Sequence, residues 1–356
     1  MKLNRLAAFA WGVVAWNLLV IVWGAYVRAS VSGDGCGSHW PLCNGEVIPD
    51  TGLAKTLIEL THRLTSGVAL VLVLALVICA FRAYPKRHRV RRGAVWSLIF
   101  ILIEALIGAA LVRFELVAGN ASMSRAVVMS VHLVNTFLLL GALSLTAWWA
   151  GGAPALKLRG QGRVSALLAV GLLGTLLLAV SGAVAALGDT LFPATSLAEA
   201  FKQDMSPTAH ILLRLRVLHP TLAVLVGCYI LVTSSYVSNF LRPGWWTKLL
   251  MSALVALLLT QLAAGLLNVY LLAPIPLQLL HLLLADALWI VLILFAASAT
   301  SIADCGLWIA DSRNEETLTL KPVEVATVSA GDQSAIHNPE SGIGGVVRVM
   351  NSQKEG

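Results

Sequence analysis

Eight apolar runs, each about 20 residues or longer, constrain the fold of this chain more than any other feature. An α-helix rises about 1.5 Å per residue, so each run can cross a hydrocarbon core about 30 Å thick. The 356 residues are 58% hydrophobic and 12% charged, and the mean hydropathy is +0.82, which is typical of polytopic membrane proteins. We therefore expect an all-α membrane protein with eight transmembrane helices, at residues 7–28, 57–81, 94–114, 126–149, 164–187, 209–234, 247–271 and 277–302.

The loops predict how the chain crosses the bilayer. Lys and Arg gather in the connections after spans two, four and six, with six of them in residues 82–92. Such loops face the cytoplasm, so both termini are predicted inside. The first run lacks a small-residue cleavage site, and we interpret it as a retained helix. The polar tail at 311–356 is predicted to be a disordered cytoplasmic extension. Because basic loops account for the net charge of +7, we predict no nucleic-acid partner.

An internal repeat is marked by glycines and histidines. Gly24 precedes His62 by 38 residues, and Gly182 precedes His219 by 37. Each half holds an even number of spans, so the repeat is parallel rather than inverted. The repeat predicts two pseudo-symmetric four-helix bundles, at residues 1–150 and 164–303.

Four histidines lie at similar depth in spans two, four, six and eight, namely His62, His132, His219 and His281. Each follows the predicted start of its helix by about 5 to 11 residues, or roughly 7 to 16 Å. Ionisable residues at such depth are costly and usually functional. Two histidines on facing helices can ligate the iron of one porphyrin from opposite sides, so we interpret the four as two pairs of iron ligands. A hydrogen-bonded packing role is the alternative for any one of them.

Comparing the halves places Glu59 opposite Arg216. A carboxylate beside a porphyrin can accept a proton or stabilise positive charge that develops during oxidation, whereas an arginine suits a propionate. We infer that the N-terminal half does chemistry and that the C-terminal half keeps a permanent haem. The alternative is that Glu59 and Arg63 simply form an i,i+4 ion pair. Arg28, at the outer end of span one, either meets a propionate or lies at the membrane interface.

The cysteines follow the predicted topology. Cys36 and Cys43 lie in the first outward loop, whereas Cys79, Cys228 and Cys305 lie at the inner ends or interiors of helices. Disulfides form outside the cytoplasm, so we predict a bond between the first two. It is either a structural staple or a redox-active pair.

As a set, the loop with Cys36 and Cys43, the stretch Glu59-Leu60-Thr61-His62-Arg63 and the remaining histidines resemble the haem A synthase family over roughly residues 5–303. The resemblance implies an enzyme of the bacterial cytoplasmic membrane that oxidises a ring methyl of haem O to a formyl group. Its product, haem A, would serve haem-copper terminal oxidases. The partners implied are a haem O synthase and oxidase assembly factors.

The resemblance also implies residue roles, with Glu59 as the catalytic acidic residue. His62 and His132 would hold the substrate haem O, and His219 and His281 would hold a haem b cofactor. Arg28, Arg63 and Arg216 are candidates for propionate binding or for support of the ligands.

One residue departs from the family pattern, because Glu104 stands where an amide like Gln261 is expected. Asn135 and Asp286, close in sequence to two of the histidines, either support a ligand or bond a neighbouring helix. Two other functions stay open, a di-haem cytochrome b-like electron carrier and a haem or small-molecule transporter. The sequence leaves the electron donor and a homo-oligomeric state undecided.

Overall fold

A computed structural model describes residues 4–49, 52–157 and 161–301. Within these ranges the chain is helical and has no β-strand. The helices are α1 (Arg5–Ala29), α2 (Ala54–Ala83), α3 (Arg89–Arg113), α4 (Met123–Ala150), α5 (Gly162–Leu191), α6 (Leu197–Met205), α7 (Ile211–Arg216), α8 (Leu218–Tyr236), α9 (Trp245–Tyr270) and α10 (Ile275–Thr300). The predicted tail at 311–356 and Cys305 lie outside the described residues.

Eight helical segments in the described ranges are long and apolar enough to cross a membrane, which confirms the predicted spans and the all-α class. The sixth span, Ile211–Leu241, combines α7, α8 and a π-helical turn at Val237–Leu241. Large apolar side chains such as Leu19, Leu106 and Leu266 are exposed on the outside of the bundle, where lipid would cover them. The chain is therefore a multi-pass membrane protein.

A proline explains why the sixth span is broken. Pro220 has no backbone N–H and its ring crowds the carbonyl of Arg216, four residues earlier, so the helical ladder is interrupted there. The structure ends α7 at Arg216 and begins α8 at Leu218. His219 consequently lies in the first turn of α8, whereas His62 lies well inside α2.

Polar caps begin several of the helices. The side chain of Asn4 accepts the backbone N–H of Ala7 at 2.8 Å and donates to the carbonyl of Ala150 at 2.7 Å, so it caps α1 and ties it to the end of α4. Ser122 caps α4, and Ser196 caps the short helix α6. In α6 the cap is followed three residues later by Glu199, the spacing of a capping box. That signal in the sequence could have located α6, which the eight apolar runs do not include.

α4 and α10 form the centre of the bundle. α4 packs against α1, α3, α5 and α10, and α10 packs against α1, α4, α5 and α9. Trp289 of α10 stacks on Phe137 of α4 at 5.3 Å and donates its indole N–H to the Phe137 carbonyl at 2.6 Å. These contacts join the two halves of the sequence, and the division into two pseudo-symmetric bundles stays a prediction.

Candidate functional site

The four histidines lie near one end of the bundle. Consecutive spans run in opposite directions, so spans two, four, six and eight begin at the same end, which we call the histidine end. Each histidine follows the first residue of its span by six to nine residues. All four side chains are half-buried. The similar depth predicted from the sequence is therefore present in the structure.

Three histidine rings lie directly against a glycine of a neighbouring helix. A Cβ at Gly24 would approach His62 Cε1 at 2.8 Å, and a Cβ at Gly182 would approach His219 Cε1 at 3.0 Å. At Gly265 the corresponding contact is 3.1 Å, to His281. Real Cβ contacts are longer, so any larger residue would displace the ring. The glycine spacings that mark the repeat in the sequence thus reflect space reserved for these histidines.

His132 has a carboxylate behind its ring instead of a glycine. Glu104 Oε1 of α3 lies 3.2 Å from His132 Nδ1, an ion-pair distance without hydrogen-bond alignment, and Nδ1 has no hydrogen-bond partner among the described residues. The carboxylate also accepts the Asn135 amide at 2.5 Å and the Thr136 hydroxyl, both from α4. Asn135 donates to the carbonyl of Phe100 as well, at 2.9 Å, so it bonds a neighbouring helix, one of its two predicted roles. Glu104, the departure from the family pattern, is thus in contact with a predicted ligand.

His62, the other histidine of the N-terminal half, lies against Gly24 of α1. Its own Nδ1 is buried without a hydrogen-bond partner among the described residues. A buried ring nitrogen that lacks a partner is costly unless a ligand or water supplies one.

The two C-terminal histidines lie close together. The rings of His219 and His281 have centroids 6.5 Å apart and are nearly perpendicular. His219 Nδ1 lies 2.9 Å from the hydroxyl of Ser181, and His281 Nε2 lies 3.3 Å from the amide nitrogen of Gln261. In the described part of the chain, His281 Nδ1 is buried without a partner. The pair thus has one ring supported by a hydroxyl and one by an amide.

Glu59 is held by the loop that contains the disulfide. Cys36 and Cys43 form the bond predicted from the sequence. Glu59 is only 3% exposed, and it accepts the Cys36 N–H at 2.8 Å and the Arg63 guanidinium at 2.5 Å. Arg63 also donates to two carbonyls of the same loop, those of His39 and Leu42, each at 2.7 Å. The i,i+4 ion pair is therefore present, and it belongs to a network that clamps the loop onto α2.

Arg216 and Arg28 also have protein partners. Arg216 donates to Asp189 at 2.8 Å and to Asp204 of α6 at 2.5 Å. Arg28 donates to the carbonyl of Ala186 at 2.7 Å, and its other acceptors are the Thr190 hydroxyl at 2.6 Å and the Gln278 side-chain oxygen at 2.9 Å. Sequence reasoning missed Asp189 and Asp204, because they lie in different helices far from Arg216 along the chain.

Asp286 has a different environment. It is fully buried in α10, and among the described residues neither of its carboxyl oxygens has a hydrogen-bond partner. The structure therefore supports neither of the two roles that the sequence left open for this residue.

These features define a class, namely polytopic α-helical membrane proteins with two pairs of histidines near one end of the bundle. Residues 7–293 match the model of a family described as cytochrome oxidase assembly protein, COX15-CtaA. The chain belongs to this family, which is the haem A synthase family, and the resemblance seen in the sequence is confirmed.

Comparisons with individual proteins return two different names. Two proteins from different strains of Thermus thermophilus, both named protoheme IX farnesyltransferase, are each 54% identical to this chain over 296 residues. The match covers 83% of this chain and 48% of each relative, so the chain spans about half the length of these proteins. A protein named heme A synthase from an Exiguobacterium species is 42% identical over 112 residues, 32% of this chain and 37% of the relative.

The residues present fit the haem group that the family implies. The glycines beside His62, His219 and His281 leave room for the rings, and the buried Nδ1 atoms of His62, His132 and His281 lack hydrogen-bond partners among the described residues. No group of three or more His, Cys, Asp and Glu side chains in those residues could hold a bare metal ion. Paired histidines instead suit a porphyrin iron, which they would hold as nitrogen ligands.

Proposed function

We propose that this chain is a haem A synthase, which oxidises a ring methyl of haem O to a formyl group. The observation that carries the proposal is the recurrence of the glycine and histidine contact, at Gly24 and His62 and again at Gly182 and His219, in a chain of this family. One such site would suit a single bound haem. Two of them suit an enzyme that holds a substrate haem and a separate haem cofactor.

In this proposal His62 and His132 hold the substrate haem O, and His219 and His281 hold haem b. The bound haem supplies a redox-active iron. The protein contributes the placement of the rings and an apolar bundle that dissolves the porphyrin and limits access of water. Family membership supports haem chemistry, and the identity of each haem is part of the proposal.

Glu59 is the proposed catalytic residue, and its surroundings favour an electrostatic role. Both of its oxygens already accept hydrogen bonds, from Arg63 and from the Cys36 N–H. These hydrogen bonds favour the ionised form and fix the carboxylate, so it can stabilise positive charge that develops on the substrate during oxidation. Proton abstraction would first require Glu59 to give up one of these partners.

The three arginines differ in how suitable they are for a propionate. Arg63 is paired with Glu59, and Arg216 lies between Asp189 and Asp204, so the charges of both are compensated. In the described residues Arg28 hydrogen-bonds only neutral acceptors. We therefore assign the propionate role to Arg28 first.

The name of the Thermus relatives raises a second activity, prenyl transfer to haem. That name describes proteins of which this chain covers only 48% of the length. The family model that matches most of this chain, by contrast, is that of the cytochrome oxidase assembly family. We therefore propose that a haem O synthase is a partner that supplies the substrate.

The proposed location is the cytoplasmic membrane, with the histidine end facing outward. Terminal oxidases would use the product.

The test is extraction and chromatographic identification of the haems bound to purified protein, expressed with and without a source of haem O. We expect haem A or its hydroxylated precursor only with that source, beside a constant amount of haem b. Glu59→Ala should abolish conversion and leave haem b in place, whereas Glu46→Gln, which changes an exposed carboxylate of the same loop, should convert normally. Haem b alone under both conditions, at two per chain, would favour an electron carrier instead.

A further inference from the structure

The two halves differ in what lies behind the histidine of their fourth span. In the N-terminal half a carboxylate oxygen of Glu104 lies 3.2 Å from His132 Nδ1. In the C-terminal half the amide nitrogen of Gln261 lies 3.3 Å from His281 Nε2. Glu104 and Gln261 are equivalent positions of the sequence repeat, so the same place holds an anion in one half and a neutral amide in the other.

Glu104 is fixed by the helix that carries its histidine. Asn135 and Thr136 follow His132 by three and four residues, so all three side chains lie on one face of α4. Asn135 donates to one carboxylate oxygen of Glu104 at 2.5 Å, and Thr136 donates to the other. Both residues are buried, at 6% and 5% exposure. The carboxylate and the imidazole are thus set in register by the same turn of helix.

A carboxylate at Nδ1 has two effects on a ligating histidine. Its negative charge favours the form with the proton on Nδ1, which leaves the Nε2 lone pair for iron, and it increases the electron donation of the ring. Stronger donation stabilises the oxidised iron and lowers its reduction potential. In the C-terminal half no such anion is present: Gln261 carries no net charge and lies at Nε2 of His281, and Nδ1 of His281 has no hydrogen-bond partner among the described residues.

We propose that Glu104 is a positioning residue whose negative charge beside Nδ1 of His132 makes this histidine a stronger electron donor than His281. The haem held by the N-terminal pair is then the more easily oxidised of the two. The inference rests on the proposed function, because it takes His62 and His132 as the ligands of the substrate haem. It goes further by giving a role to a residue that departs from the family pattern.

The experiment is a redox titration, followed by visible absorption, of the full chain loaded with haem b and haem O in the expression host. Glu104→Gln keeps the shape of the side chain and removes its charge. We expect this variant to retain its N-terminal haem and to titrate at a higher midpoint potential, with the C-terminal haem unchanged. The reciprocal variant Gln261→Glu is the matched control and should leave the potential of the N-terminal haem as it is.

The signals are assigned with His62→Ala and His219→Ala, each of which should remove one haem. An unchanged midpoint potential in Glu104→Gln, with the N-terminal haem retained, would overturn the inference. If Glu104→Gln loses that haem, the potential is measured in Thr136→Val instead. This variant removes one hydrogen bond to the Glu104 carboxylate and keeps the carboxylate itself. A shift in the same direction would support the inference and no shift would overturn it. If His62→Ala leaves the haem content unchanged, the proposed ligands themselves are wrong, which is a separate failure.

Discussion

Replacing the glycines beside the histidines is the most direct test of the site. Gly24→Ala adds a single methyl group to α1, and that Cβ would lie 2.8 Å from Cε1 and 3.2 Å from Nε2 of His62. Carbon atoms in contact normally lie about 3.5–4.0 Å apart, so the imidazole must move by roughly 0.7–1.2 Å. Productive geometry at a catalytic site is held within about 0.5 Å, so this displacement is large.

The expected loss is selective. A misplacement of about 1 Å can reduce catalysis by about 100-fold, so we expect Gly24→Ala to lower haem conversion between about 10-fold and 100-fold. The C-terminal haem should stay bound, because His219 and His281 lie against other glycines. Gly182→Ala should have the opposite selectivity and weaken the C-terminal haem, since its Cβ would lie 3.0 Å from His219.

Gly108 provides the matched control. It occupies the position of the repeat equivalent to Gly265, yet a Cβ there would meet nothing within 4 Å. Gly→Ala inside a helix stabilises by about 0.5–1 kcal/mol when there is space, so Gly108→Ala should keep both haems and melt at the same or a higher temperature.

The assay is haem content per chain, from the visible spectrum and from extracted haems, together with conversion in cells that make haem O. The reasoning is refuted if Gly24→Ala binds both haems and converts haem O like the unmodified protein. It is also refuted if Gly108→Ala causes the same loss as Gly24→Ala, because the effect would then come from the helix and not from the histidine contact.

Two further predictions concern stability. Replacing Cys36 and Cys43 together by serine should lower the free energy of unfolding by about 2–3 kcal/mol through loop entropy, and it should lower conversion because the loop holds Glu59. A thermal melt measures the first effect and the conversion assay the second. No change in either would contradict the proposed link between the disulfide loop and Glu59. Asp286→Leu should leave the melting temperature unchanged or raise it, since it removes an unpaired buried polar group, which costs about 1–3 kcal/mol. A clear destabilisation would show that this carboxylate has a partner in the folded protein.

The sequence predicted the spans because the bilayer imposes a simple rule. Each apolar run had to be about 20 residues long. Seven of the runs became single helices with ends within five residues of the predicted bounds, and the sixth became α7, α8 and a π-helical turn. The disulfide was predicted from topology alone. The break at Val217 was readable from Pro220, but the hydropathy of the run hides it. The predicted span therefore appeared as one continuous helix.

The contacts of the site were less predictable, because they depend on how helices rotate against each other. The glycine spacings were visible as a repeat, but nothing in the sequence indicated that Gly24 lies against the ring of His62. Glu104 was noticed only as a departure, and its distance to His132 required the packing of α3 on α4. The partners of Arg216 come from α5 and α6, which no local pattern connects to α7.

The structure changes which difference between the halves matters most. From the sequence, the contrast between Glu59 and Arg216 gives the halves opposite charges. In the structure Arg63 compensates Glu59, and two aspartates surround Arg216, so much of that contrast is cancelled locally.

The contrast between Glu104 and Gln261 is not cancelled in this way. Asn135 and Thr136, which hold Glu104, are neutral donors, and the histidine beside it is the group on which its charge acts. A charge that neutral groups orient keeps most of its electrostatic effect in an apolar interior, where the effective dielectric constant is low. If the two haem sites differ in reduction potential, this pair of positions is therefore a better explanation than the pair that the aligned sequence first indicates.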